Sequence, residues 1–147
     1  MNLLLDTNVI IDYLGCQKPY FDPAMKVVAA GFFGDASLWM AAGSAKDAFY
    51  VLNHFVDSCR IQSALLELFK VVRPVSLTAE DLERAARLQW DDFEDCLIAV
   101  SALKAQADYI ITRDARGFER SMVPVQTPEE WLVAMESKGI TYTEVTM

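Results

Sequence analysis

Short apolar segments alternate with helix-forming segments along the chain, and this alternation restricts the folds open to it. Residues 3–5 and 109–111 are entirely apolar, as in strands that are buried on both faces. Strands that alternate with helices form a parallel sheet with helices on both faces. The sequence therefore predicts an α/β fold, a three-layer α/β/α sandwich with a central parallel sheet and the first strand in the middle. The predicted strands are residues 2–5, 37–41, 70–75, 108–112 and 123–126.

Cap residues predict where the helices between these strands begin. Asp22 is a suitable N-cap for a helix over 22–33, which has proline at its first position. Ser44 is predicted to cap a helix over 45–57, after a glycine that ends the second strand. Asp92 is predicted to open a later helix. These signals leave no gap long enough for an interdomain linker.

The length of 147 residues fits one domain, predicted over 1–138, and a polar, threonine-rich tail over 139–147 that is loose or strand-like. No segment approaches the roughly 20 apolar residues of a membrane span. The N-terminus has no basic region and reaches an acid at Asp6, unlike a signal peptide. We therefore expect a cytoplasmic protein that does not interact with membranes.

The charge balance and the cysteines exclude several kinds of site. A net charge of −8 argues against sequence-independent nucleic-acid binding through a basic surface, although a metal-dependent nuclease remains compatible with it. Cys16, Cys59 and Cys96 are widely spaced and odd in number, which indicates neither a disulfide framework nor a zinc site. The single histidine, His54, gives no support to a zinc centre or a histidine-based triad.

Four aspartates follow predicted strands or lie in the first turns of the helices behind them: Asp6, Asp47, Asp95 and Asp114. Asp6 and Asp114 each follow the carboxyl end of a strand, and neighbouring strands lie about 5 Å apart. Ligands of such sheets bind beyond the carboxyl ends of the strands. Four converging carboxylates would repel one another unless a cation lay between them. The pattern therefore predicts an acidic pocket for a hard divalent metal that handles phosphates.

Each acid also has an ordinary structural explanation. Asp6 can cap the helix that follows it, and Asp92 with Asp95 can form a capping box. Asp47 lies in a first helical turn, where the helix dipole favours negative charge, and an aspartate such as Asp114 is common in turns. Position alone does not decide between these explanations and metal binding.

Three segments together resemble the PIN domain, and most closely the bacterial PIN ribonucleases of the VapC toxin type. They are Leu-Leu-Asp-Thr-Asn-Val-Ile-Ile-Asp at the start, Asp-Phe-Glu-Asp-Cys-Leu-Ile-Ala-Val-Ser-Ala, and Ala-Asp-Tyr-Ile-Ile-Thr-Arg-Asp-Ala-Arg-Gly-Phe. The resemblance spans roughly residues 2–130. It implies catalytic and metal-binding roles for the four aspartates, and supporting roles for Asn8, Ser44, Asp92 and Thr112.

The resemblance also implies a cofactor, a substrate and partners. They are Mg²⁺ or Mn²⁺, an RNA substrate, an antitoxin protein and a second copy of the chain in a homodimer. Two positions depart from the family pattern. The middle acid is usually glutamate, whereas this chain has Asp47, and the acid often found before Phe118 is replaced by Gly117.

The leading functional prediction is an endoribonuclease that uses divalent metal, as the toxin of a toxin–antitoxin pair. The alternative is a PIN-fold binding module with weak or no catalysis that acts through a protein partner, and Asp47 in place of glutamate favours it. A phosphatase-like or receiver-like domain is a third class. The phosphatase pattern requires Asp-x-Asp at the first strand, where this chain has Asn8 as the third residue.

Overall fold

The computed structural model describes residues 1–142, so that the end of the predicted tail, residues 143–147, lies outside the described residues. The first strand leads directly into a helix, and strands and helices then follow one another to the C-terminal helix. The elements are β1 (Asn2–Leu5), α1 (Thr7–Leu14), α2 (Phe21–Phe32), β2 (Ser37–Ala41), α3 (Ala42–Leu52), α4 (Ser58–Leu68), β3 (Val72–Val75), α5 (Ala79–Leu88), α6 (Phe93–Lys104), β4 (Tyr109–Ile111), a 3-10 helix (Ala115–Phe118), β5 (Val125–Gln126) and α7 (Pro128–Glu136).

The five strands form one parallel sheet in the order β3-β2-β1-β4-β5. The first strand is central, which confirms the predicted α/β/α architecture. Strands β3 and β5 lie at the edges, where the missing backbone N–H of Pro74 in β3 is tolerated. Because β1 pairs with β4, with Leu5 opposite Ile111, the chain segments after these two strands emerge side by side.

The side chains of β1 alternate between the two faces of the sheet, and both faces are covered. Leu3 and Leu5 pack in the core with α1, α2 and α7, whereas Leu4 packs on the other side with Ile98 and Ala102 of α6. All three leucines of this strand are fully buried. Burial on both faces explains why the strand sequence is continuously apolar rather than alternating.

Two predicted caps are wrong. Helix α2 begins at Phe21 after Tyr20, and Asp22 lies in its first turn, where it pairs with Lys26. Helix α3 begins at Ala42, directly after β2, so that Ser44 is inside the helix rather than at its cap. The other predicted strands and helices are present. Side-chain capping boxes open α5 and α7.

The end of the described chain is anchored to the domain. Tyr142 is buried, stacks on Trp131 and donates a hydrogen bond to Asp35. All three cysteines are free, with Cys16 and Cys59 exposed and Cys96 buried. Of the helices within residues 1–142, none combines the length and the apolar character that crossing a membrane would require.

Candidate metal centre

The predicted site lies at the carboxyl edge of the sheet, where β1 and β4 end. The backbone N–H of Asp6 donates to the carbonyl of Ile111, and this bond joins the two strand ends. Asp6 is 6% exposed and also caps α1, because its Oδ1 accepts from the N–H of Thr7. The structural role expected for a capping aspartate is therefore present, and the other carboxylate oxygen faces the end of β4.

The Thr112 hydroxyl is the centre of a hydrogen-bond network at this edge. It donates to Asp6 Oδ2 at 2.7 Å and accepts from Asn8 Nδ2 at 3.2 Å and from the backbone N–H of Asp114 at 3.1 Å. Asn8 also accepts from the backbone N–H of Arg113. Thr112 is fully buried. The network fixes Asp6 relative to the loop that carries Asp114. That Asn8 and Thr112 support a metal site stays a prediction.

Ser44 reaches the same region from α3. Its hydroxyl lies 2.7 Å from the hydroxyl of Thr7, and both side chains are buried. Since the N–H of Thr7 holds Asp6 Oδ1, this contact supports the conformation of Asp6 from a second helix. Asp47 lies one turn further along α3 and is half-buried.

The beginning of α6 brings in the third acid. Asp92 is the N-cap, and its Oδ1 accepts from the N–H of Asp95. Among the described residues, the Asp95 carboxylate makes no hydrogen bond, so it does not return the capping interaction. It lies against Gly117, and a Cβ at position 117 would overlap Asp95 Oδ2. Glycine at this departure from the family pattern therefore leaves space for the third carboxylate.

Asp114 is the most exposed of the four aspartates. Its side chain is 59% exposed and its Oδ1 accepts from Arg116 Nε at 3.2 Å. The same oxygen accepts from the backbone N–H of Arg116, at the start of the 3-10 helix. In this conformation Asp114 is therefore partly neutralised by a residue two positions on.

The electrostatics show how closely the acids are grouped. Partial burial raises the pKa of Asp95 to about 6, and the charges of Asp92, Asp6, Glu94 and Asp114 add to that rise. Like charges within a few ångströms disfavour joint ionisation. The pKa of Asp95 is thus raised in the direction expected for an acidic cluster without a bound cation.

Asp6 shows the same effect under opposing influences. Its burial raises the pKa above the ordinary value, while the hydrogen bonds from Thr112 and Thr7 offset part of the rise. The charges of Asp92 and Asp114 raise it further. A buried carboxylate with acidic neighbours is stabilised by a cation more than by any further hydrogen bond.

The donor groups have the chemistry that a hard cation prefers, because the acids and their supporting side chains offer oxygen ligands. Among residues 1–142, however, no three acidic, histidine or cysteine side chains already surround a common point as a metal ion would require. Asp6 is turned toward Thr112, and Asp114 toward Arg116. That Asp6, Asp95 and Asp114 share one ion therefore stays a prediction.

Two residues of the site were missed by the sequence interpretation. Thr7 joins Ser44 to Asp6. Glu94 lies close enough to the acids to be affected by their charges. Partial burial raises its pKa, and the charges of Asp47, Asp6 and Asp92 add to that rise. Its place between two predicted acids in Asp-Phe-Glu-Asp was the only signal in the sequence that pointed to it.

The Asp95 pKa leads to a prediction for the metal-free protein. An ordinary aspartate has a pKa of 3.8 and this one about 6, so the folded state binds the proton more tightly. The stabilisation from Asp95 is therefore complete below about pH 4 and is lost as the pH rises through 6. We expect Asp95→Asn in EDTA to gain stability relative to wild type between pH 4.5 and pH 7, as measured by urea unfolding at both pH values. A constant difference between the two proteins would show that Asp95 titrates normally.

Comparison with known proteins shows the family to which the chain belongs. The family model described as PIN domain matches residues 2–116. The comparison with curated proteins found no match. Among solved structures, the fold is similar to VapBC-1 from nontypeable Haemophilus influenzae, with a TM-score of 0.63 and 20% identity over 88% of this chain and 99% of that chain.

Two further structures share the fold at low identity. VapC20 of Mycobacterium tuberculosis, described as a sarcin-ricin loop cleaving toxin, has a TM-score of 0.65 and 16% identity over 84% of this chain and 98% of that one. VapBC2 from Rickettsia felis, bound to a DNA fragment from its promoter, has a TM-score of 0.64 and 14% identity, with 86% and 98% of the two chains covered.

Proposed function

The chain belongs to the PIN domain family, and on that premise we propose that it is a divalent-metal-dependent endoribonuclease, the toxin of a toxin–antitoxin pair that acts in the cytoplasm. The observation that carries the proposal is the Asp95 carboxylate. It has no hydrogen-bond partner among the described residues and lies against Gly117. Partial burial raises its pKa to about 6, and the charges of Asp92, Asp6, Glu94 and Asp114 add to that rise. A bound cation would stabilise the ionised form of this carboxylate.

The protein groups divide the work of RNA hydrolysis. Mg²⁺ or Mn²⁺, when bound, supplies an activated water and stabilises the charge on the leaving oxygen. Asp6, Asp95 and Asp114 would hold it, with Asp47 at the rim of the pocket. Thr112 keeps Asp6 oriented through its 2.7 Å hydrogen bond, so that this carboxylate needs little reorganisation on binding.

No protein nucleophile is required by this scheme. The histidine, His54, bonds to the carbonyl of Tyr50 on α3 and has no part in the site. Cys96 is buried against the carbonyl of Ala85. The reaction proposed is therefore direct attack of water on the scissile phosphate, with acids that bind the cation and position it.

An antitoxin is the proposed protein partner. The solved structures of similar fold include VapBC-1, and VapBC2 and FitAB, which are each bound to a DNA fragment. This chain has an apolar cavity of about 500 Å³ between α1, α2 and α4 that an amphipathic partner helix would fill. Its lining includes Tyr13, Phe21, Met25, Phe32 and Val71. A homodimer, as in the family, is part of the same proposal.

A binding module without turnover is the second candidate. Two observations favour it: the shorter Asp47 in place of glutamate, and the pairing of Asp114 with Arg116. In that case the apolar cavity would be the functional surface and the acids would be remnants. Cleavage assays separate the two functions.

We expect purified wild type to cleave single-stranded RNA with Mg²⁺ or Mn²⁺ and to stop on addition of EDTA. Asp47→Asn should lower the rate about tenfold or more, because it removes a charge that holds the cation, whereas Asp47→Glu should stay within about threefold. Asp22→Asn is the matched control, since the Asp22 side chain is 65% exposed and pairs with Lys26 on the same helix, α2. If Asp47→Asn cleaves at the wild-type rate, Asp47 is not part of the site. If wild type shows no metal-dependent cleavage, the binding module is favoured.

A further inference from the structure

A small cavity next to the acids combines an aromatic ring with two arginines. It has a volume of about 150 Å³, and its walls include Trp90, Asp92, Arg116, Gly117 and Arg120. It adjoins the metal centre directly, because Asp92 caps α6 and Gly117 lies against the Asp95 carboxylate. We call it the Trp90 cavity.

The two arginines of the Trp90 cavity are held differently. Arg120 is fixed, since it donates to the carbonyls of Leu88 and Gln89 at the end of α5 and lies 5.8 Å from the centre of the Trp90 ring. The Arg116 side chain is 90% exposed and, within residues 1–142, bonds only to Asp114. Arg120 therefore shapes the wall of the cavity, while the Arg116 guanidinium is available to a ligand.

A chain with a net charge of −8 repels a polyanion except where cations are placed. Arg116 supplies such a charge beside the acids, and guanidinium groups bind phosphates through two parallel hydrogen bonds. Trp90 is partly buried and Arg120 lies over its ring, but part of the indole lines the cavity. Bases of single-stranded nucleic acids pack against such aromatic side chains. Asp91 and Glu119 also line the cavity, so that a phosphate is favoured only on its Arg116 side.

We propose that the Trp90 cavity binds the nucleotide of a single-stranded RNA that flanks the scissile phosphate, with its phosphate on Arg116 and its base against Trp90. The inference rests on the proposed nuclease function. It adds that the RNA strand runs from the candidate metal centre toward the Trp90 cavity. When the substrate binds, Arg116 exchanges the Asp114 carboxylate for the RNA phosphate. Asp114 is thereby freed on the side where the cation is needed.

The test is a comparison of Arg116→Ala with Arg87→Ala. The second variant removes the same charge from an exposed pair with Glu83 on α5, and Arg87 does not line the cavity. We expect Arg116→Ala to raise the KM for a short single-stranded RNA about tenfold with kcat within about threefold, and Arg116→Lys to recover part of the loss. Trp90→Phe, which keeps an aromatic ring in the core contact, should raise KM about threefold. Arg87→Ala should leave both constants near wild type.

A salt titration distinguishes a phosphate contact from a structural role. The slope of log affinity for a labelled RNA oligonucleotide against log salt concentration should fall by about 0.7 in Arg116→Ala, the value for one phosphate contact on a single strand. Equal KM values and equal slopes in Arg116→Ala and Arg87→Ala would overturn the inference, and so would a loss in Arg116→Ala that is confined to kcat. Neither result would contradict the proposed nuclease function. If wild type cleaves no RNA, the binding of the oligonucleotide in EDTA tests the proposed nucleotide site by itself. Binding that Arg116→Ala weakens supports the site, and the absence of binding refutes it.

Discussion

Asp6→Asn should abolish metal-dependent RNA cleavage, with a loss on the order of 100-fold or more. Asp6 is fixed by hydrogen bonds from Thr7 and Thr112. Burial raises its pKa, and the charges of Asp92 and Asp114 add to that rise. The asparagine side chain keeps the shape and can still accept from Thr7, but it removes the charge that a cation requires. The fold should therefore survive while the metal site is lost.

The same variant should lose the stabilisation that the metal gives. Ions that bind only the folded state should stabilise wild type by about 1–3 kcal/mol at ten- to hundredfold above their dissociation constant. In EDTA, Asp6→Asn should melt at or above the wild-type temperature, because a buried charge with acidic neighbours has been removed. Thermal melts with and without Mn²⁺, with Asp22→Asn as the control, check both points. An equal Mn²⁺ response in wild type and Asp6→Asn would show that the ion binds elsewhere.

Asp12→Ala should be the most destabilising single change near the site, at about 2–4 kcal/mol. The Asp12 carboxylate is 3% exposed and accepts from Arg113 Nε at 2.5 Å and from Arg113 Nη2 at 3.3 Å. The guanidinium also lies 4.0 Å from the centre of the Tyr20 ring, which is a cation–π contact. Removal of Asp12 leaves the partly buried Arg113 guanidinium without its carboxylate partner.

This loss should lower the melting temperature by roughly 6–12 °C in a domain of this size. Asp12→Asn, which keeps one acceptor and the side-chain shape, should cost less. Asp22→Ala should cost under about 1 kcal/mol, as is usual for an exposed ion pair. Because Arg113 lies between Thr112 and Asp114, cleavage by Asp12→Ala should fall as well. A melting temperature for Asp12→Ala equal to that of Asp22→Ala would show that the Arg113 pair contributes nothing to the fold.

Local patterns predicted most of the fold, because its strands are short, apolar and buried on both faces. The triple leucine of β1 and Tyr-Ile-Ile of β4 allow few other assignments, and the α/β alternation then predicts the sheet. The capping boxes at Thr78 and Thr127 also depend on local sequence, since the two partners of each box lie three residues apart. These features depend on neighbours in sequence alone.

The errors and omissions arise where distant contacts override local signals. Ser44 is of a residue type that often caps helices, yet its hydroxyl bonds to that of Thr7, 37 residues away in sequence. The helix begins at Ala42, two residues before Ser44. Arg113 pairs with Asp12 across 101 residues, and no periodicity indicates that contact. The carboxylates could be named from sequence, but their orientations depend on Thr112, Gly117 and Arg116, which pack against them only in the fold.

The most direct test of the metal centre is the anomalous scattering of crystals soaked in Mn²⁺. We expect a peak at coordination distance, about 2.0–2.3 Å, from carboxylate oxygens of Asp6 and of Asp95 or Asp114, with Arg116 turned away from Asp114. The peak should be missing in crystals of Asp6→Asn. Manganese bound only at other surface acids, or no peak at millimolar Mn²⁺, would contradict the assignment of these acids as the metal-binding centre.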